Sequence, residues 1–170
     1  MRRAVPVWAV LAAMISAAMA LPASAQQTET RQDYALWQLY CAPEPQPDTI
    51  ACEIRQLLKN SANQFVAGLF YTEVDNLGVF MLRVTPALDD KLKSGVMMQA
   101  DNGFGTDAFR YIGCDTLGCT TRLPMKQVVV GLIERGNALT MTLGPAAPSP
   151  YAVTFQLNGF PEALAALRAR

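Results

Sequence analysis

The stretch FVAGLFYTEVDNLGVFMLRV, residues 65–84, decides the fold. Phe65 to Val74 is dense in aromatic and β-branched side chains, which suit a pleated surface. Asp75-Asn76-Leu77-Gly78 interrupts the run with residues that tolerate turn backbone, and Val79 to Val84 resumes it as a second apolar strand. The spacing predicts two strands about a turn, the repeating unit of an antiparallel sheet.

Working upstream, Ile50, Cys52 and Ile54 alternate with polar or small neighbours and predict a strand. Ala42-Pro-Glu-Pro-Gln-Pro-Asp48 reads as an exposed loop, because its three prolines lack ladder donors. Tyr34 to Cys41 is short, apolar and aromatic, and predicts another strand; Gln26 to Asp33 is polar and predicts a frayed start.

Working downstream, Pro86 opens an irregular, solvated stretch carrying Asp89, Asp90, Lys91 and Lys93, which Gly95 ends. Val96, Met97, Met98 and Ala100 predict a strand, and Asp101-Asn102-Gly103 is a strong hairpin signal. Phe109, Tyr111 and Ile112 lead back towards Cys114. Met125, Val128, Val129, Leu132 and Ile133 fall at helical spacing before Gly136. Ala138 to Leu143 and Tyr151 to Leu157 predict two more strands. Pro161 opens a terminal helix through Leu167. Seven or eight short strands with one or two short helices predict a mainly β chain, an antiparallel β-sandwich.

Residues 1–25 read as a cleaved secretory signal peptide. Arg2 and Arg3 form its basic start, Val5 to Leu21 its apolar run, and Ala23-Ser24-Ala25 a small-x-small cleavage site. Residues 26–170 then form a single domain, with no transmembrane segment in this mature part. The chain carries 14 basic and 14 acidic side chains, so no basic surplus exists to neutralise phosphates, and nucleic acid is excluded as a partner. Histidine is absent, which removes Ser-His-Asp and Cys-His nucleophile activation and every histidine-containing zinc site.

Export directs attention to Cys41, Cys52, Cys114 and Cys119 as disulfides. Four cysteines allow three pairings. Proximity favours Cys41–Cys52 and Cys114–Cys119, since short loops close with the least entropy loss. A four-cysteine zinc site fits the wide first gap badly. Thiol–disulfide catalysis prefers Cys-x-x-Cys, whereas Cys114-Asp-Thr-Leu-Gly-Cys119 is longer, and Asp115 opposes a thiolate.

Four patterns occur in order along the chain. These are Trp37-x-x-x-Cys41 with Cys52; Thr85-Pro86-Ala87-Leu88 before Leu92 and Gly95-Val96; Phe109 followed by Cys114-x-x-x-Gly118-Cys119; and Leu157-x-Gly159-Phe160-x-x-Ala163-Leu164-x-x-Leu167. Together they resemble the invasion-associated locus B family of exported bacterial proteins, from about Trp37 to Leu167. Thr120-Thr121 departs from the family's pattern, which has a small apolar residue there, and the proline loop is less typical. The resemblance implies an immunoglobulin-like β-sandwich stapled by disulfides, an extracytoplasmic location and no known catalytic residues. Some relatives are linked to host-cell invasion, a role that the resemblance does not transfer.

The remaining notable side chains favour structural roles. Trp37 is expected in the core near Cys41–Cys52, Gly118 within the second cysteine motif, and Gly159-Phe160 at the docking point of the terminal helix. Asp101, Asn102 and Asp107 suit a turn better than a calcium loop. Met97, Met98 and Met141 suit core filling better than an apolar binding surface or copper ligation. No cofactor and no metal is expected. The sequence therefore points to a non-enzymatic envelope protein, periplasmic with outer-membrane association or secretion left open. Its expected partner is an envelope or extracellular protein, met through the 42–48 loop. The alternative is a thiol–disulfide redox protein using Cys114 and Cys119.

Overall fold

The computed structural model describes residues 28–46, 49–88 and 94–170. The predicted signal peptide, the tip of the proline loop at Pro47-Asp48 and the charged stretch 89–93 lie outside the described residues.

Seven strands form one antiparallel sheet. They are β1 (Thr30–Tyr34), β2 (Trp37–Pro43), β3 (Ile50–Lys59), β4 (Phe65–Val74), β5 (Leu77–Val84), β7 (Tyr111–Asp115) and β8 (Gly118–Lys126), in the spatial order β1-β2-β3-β4-β5-β8-β7. A second sheet holds β6 (Val96–Ala100), β9 (Ala138–Leu143) and β10 (Tyr151–Gln156), ordered β10-β9-β6. Two helices complete the described fold, α1 (Gln127–Ile133) and α2 (Phe160–Arg168), with a single 3-10 turn at Pro86–Leu88. Both sheets contribute to one hydrophobic core, the sandwich architecture of immunoglobulin-like domains, with β1 to β5 running as a meander.

The 65–84 segment folds as an antiparallel pair, β4 to β5, closed by Asp75 and Asn76 at positive φ (49° and 64°). Two successive left-handed residues match the twist of a two-residue hairpin, which is why Asp and Asn stand there. The pleat sends Leu69 and Tyr71 inward with Phe80 and Leu82, all buried. Phe70, Thr72, Val79 and Met81 therefore face outward.

The core centres on Phe160 at the start of α2. Its ring lies 4.8 Å from Trp37, edge-on, and within 5.7 Å and 6.0 Å of Tyr71 and Phe80. Ala163 and Leu164, on the same face of α2, are also buried.

Four local expectations need correction. The polar start is not frayed from Thr30 onward, because Thr30–Tyr34 pairs along β2 and gains its backbone bonds there despite exposed side chains. Gly118–Lys126, to which the sequence pattern assigns no strand, is the inner strand β8. Its Pro124 is tolerated because β7 pairs only as far as Thr121, so the strand there has a neighbour on one side alone. Met125 belongs to β8, so the helical stripe starts later: α1 buries Val130 and Ile133, while Val128 is 71% exposed. The Asp101-Asn102-Gly103 turn forms, yet the return passes through isolated bridges at Gly105 and Phe109 instead of a continuous strand.

Candidate functional site

The structure places the four cysteines as two facing pairs. Cys41 opposes Cys52 across β2 and β3, and Cys114 opposes Cys119 across β7 and β8; both pairs are bonded. Their surroundings differ. Cys41 and Cys119 are buried, Cys52 is half-buried, and Cys114 is exposed.

Trp37, 1% exposed, donates its indole N–H to the Gln156 carbonyl at 2.8 Å. Gly159 sits at φ +90°, where a Cβ would run into the Tyr34 carbonyl oxygen. Gly118 sits at φ +142° against the Val84 carbonyl, so both glycines occupy backbone that side chains rarely adopt. Of the proposed core residues, Trp37, Gly159 and Phe160 meet at α2, while Gly118 stands apart at the β7–β8 hairpin.

Asp101 does not present an open ligand set. Its carboxylate accepts from the Asn137 backbone at 2.9 Å and from the Asn137 side chain at 3.1 Å, which hold its pKa below the usual range. Asn102 donates to the Leu132 carbonyl. Met98 and Met141 are buried opposite each other in the three-stranded sheet, whereas Met97 is half-buried. Among the described residues, no group of three or more Asp, Glu or Cys side chains is placed to hold a metal ion.

A second polar cluster lies where α2 meets the large sheet. Glu73 Oε1 accepts from the Tyr71 hydroxyl at 2.8 Å, from Arg168 Nε at 2.9 Å and from Gln127 at 3.2 Å. Burial pushes the Glu73 carboxyl upward, but these donors and the Arg168 charge outweigh it and hold its pKa below normal. Burial first, then Glu73, pushes the Tyr71 phenol well above its ordinary value. The cluster fastens the C-terminal helix to β4.

The feature that sequence reading missed is on the outward face of the large sheet. Register brings Arg55, Phe70, Met81 and Arg122 into one row across β3, β4, β5 and β8. The neighbouring row aligns Thr72, Val79 and Pro124. The first row from Phe70 to Arg122, and the whole of the second, line a trough of about 380 Å³, with Val74 along it, Glu53 on its β3 wall and Arg55 just beyond that end. No helix covers it. The α1 helix packs on β8 and β5 through inward Val130, and α2 lies against β1, β2 and β3 through the core.

The charges at the two ends of the trough are not equivalent. Arg55 stacks 4.0 Å above the Tyr40 ring, donates to Gln38 and lies 3.8 Å from Glu53. Burial raises the Glu53 pKa, and Arg55 opposes part of that rise. Arg122, exposed at the β8 end, has no hydrogen-bond or ion-pair partner among the described residues. A sequence signal for this face does exist. Residues 65–84 are apolar at outward as well as inward positions, as in strands covered on both sides, yet among the described residues no second layer covers the outward side.

Comparison with known proteins follows the same outline. No curated protein sequence matches the chain. The crystal structure of invasion associated protein b from Bartonella henselae superimposes with a TM-score of 0.67 at 23% identity, covering 82% of this chain and 96% of that one. At that identity the likeness establishes the fold. The family model for invasion associated locus B (IalB) protein matches residues 37–168, which include the β2–β3 disulfide, the β7–β8 disulfide and the whole of α2, and the chain belongs to that family.

Proposed function

We propose that this protein is an exported, non-enzymatic envelope protein that works by binding, and that its contact surface is the outward trough of the seven-stranded sheet. One observation carries the reading. A monomeric sheet face ordinarily presents polar side chains to water, but here half-buried Phe70, Val79 and Met81 lie side by side with no helix over them among the described residues. Two disulfides support an oxidising compartment, and membership of a family of exported proteins agrees with it. Among the described residues, no helix is long and apolar enough to cross a membrane. The trough replaces the 42–48 loop as the favoured surface, since Ala42 and Pro43 are drawn into the β2–β3 ladder.

The test places a photo-crosslinking amino acid at Met81 and, as a control, at exposed Ala152 on β10, in the producing bacterium. Adducts at Met81 and none at Ala152 are expected. Equal yields at both positions, or none at Met81, would overturn the assignment.

A second reading, thiol–disulfide exchange at Cys114–Cys119, has one observation in its favour: Cys114 is exposed while its partner is buried. It requires the pair to cycle in cells. Trapping thiols by alkylation during growth checks this, and a bond that stays wholly oxidised sinks it.

A further inference from the structure

The trough also constrains the chemistry of what it binds, an argument that rests on the binding reading above. It crosses four strands, and at the usual strand spacing its length is about 14 Å. Its apolar lining is Phe70, Val74, Val79, Met81 and Pro124, none of which has a side chain that can donate or accept a hydrogen bond, with Glu53 and Arg122 as the charged residues at its two ends. The hydroxyls of its two neutral polar residues are already engaged, Thr72 donating to the Cys52 carbonyl and Tyr71 to Glu73. The backbone beneath is consumed by the β4–β5 and β5–β8 ladders.

A peptide laid along this floor would bury its own N–H and C=O groups without partners, which is costly. An alkyl chain has no such requirement. It would cover the Phe70–Met81 and Thr72–Val79 pairs, and Met81 could adapt its shape to the chain.

Charge then sets the polarity of the ligand. At the β3 end Arg55 is engaged by Gln38, Glu53 and Tyr40, so that end is already neutralised. At the β8 end Arg122, opposite Met81 in the ladder, offers a guanidinium with no partner among the described residues. A planar guanidinium at the rim of an apolar trough matches a carboxylate at the end of a hydrocarbon. We infer that the trough binds a single-chain anionic amphiphile of the fatty-acid type, with its alkyl chain over Phe70, Val79 and Met81 and its carboxylate on Arg122.

The test titrates the purified protein, disulfides intact, with dodecanoate below its micellar concentration. Heat of binding and the NMR signal of the Met81 methyl group are followed together. Saturable one-to-one binding that shifts the Met81 methyl is expected, with dodecyl maltoside, equal in chain but uncharged, binding at least about tenfold more weakly. Arg122→Gln, an exposed substitution, is expected to weaken dodecanoate about tenfold or more while leaving the thermal midpoint unchanged. Absence of saturable binding, a Met81 methyl that does not move, an unaffected Arg122→Gln variant, or equal affinity for the maltoside would each overturn the inference. A Met81 crosslink to an envelope protein without dodecanoate binding would reject this ligand and leave the broader binding reading intact.

Discussion

The indole N–H of Trp37, on β2, reaches through the interior to the carbonyl of Gln156, the last residue of β10, at 2.8 Å. The buried Gln56 side chain meets the same residue twice, donating to that carbonyl at 2.8 Å and accepting from the Gln156 amide at 3.1 Å. The two sheets are thus held at a fixed offset by directional bonds as well as by apolar packing. Each donor is positioned by an inward place on its strand, so the link depends on the pleat.

Because Trp37 and Gln56 share one acceptor, their substitutions are expected to be non-additive. Trp37→Phe keeps an aromatic ring and loses the bond, costing about 2 kcal/mol, whereas Trp37→Ala costs about 3–5 kcal/mol. Gln56→Ala leaves the Gln156 amide short of a partner and costs about 1–3 kcal/mol. Urea unfolding of Trp37→Phe, Gln56→Ala and the double variant checks this; a coupling below about 0.5 kcal/mol would show the two bonds to be independent.

Gly159→Ala is expected to destabilise by more than about 2 kcal/mol. It combines an unfavourable positive φ with a collision at the Tyr34 carbonyl. Gly113→Ala is the matched control, since a Cβ there meets nothing within 4 Å, and its effect should stay within about 0.5 kcal/mol. Thermal melts of the two variants side by side make the comparison.

Access distinguishes the two disulfides. Titration with glutathione is expected to reduce Cys114–Cys119 before Cys41–Cys52, because only the first pair exposes a sulfur-bearing residue broadly to solvent. Alkylation and peptide mapping read the order directly, and simultaneous reduction would refute it. Chain entropy assigns about 2 kcal/mol to the shorter loop and about 3 kcal/mol to the longer one, which paired Cys→Ala variants measure.

Glu73 makes stability fall on the acid side. Its folded pKa lies below its unfolded value, so its contribution is present above about pH 4.3 and is lost as pH drops through the lower folded value. Glu73→Gln should flatten that part of the curve while leaving its slope at neutral pH unchanged. Urea midpoints from pH 3 to 7 provide the check; an unchanged acid limb would count against the Tyr71–Glu73–Arg168 cluster as its source.

Much of this architecture is legible along the chain where the signal is local. The β4–β5 hairpin follows from apolar runs around a turn whose residues accept positive φ. The terminal helix follows from Pro161 and an apolar face at helical spacing. Strands β3, β6, β9 and β10 follow from alternation or from short apolar runs between turn residues. Where local chemistry is weak, the reading fails. β1 has a polar sequence and exists because β2 offers it a partner. β8 contains a proline and two threonines and is a strand because β5 and β7 pair with it.

The functional face shows the deeper division. Fold class, and the resemblance that anticipated the family, rest on residues near one another or on their order, which a linear chain displays. The outward row rests on Arg55, Phe70, Met81 and Arg122, spread over 68 positions and aligned by three separate strand registers. A shift of one residue in any register would turn its members to the other face of the sheet. By residue type Phe70 and Met81 do not differ from core side chains; long-range pairing turned them outward beside an arginine with no partner among the described residues, and no local pattern records that choice.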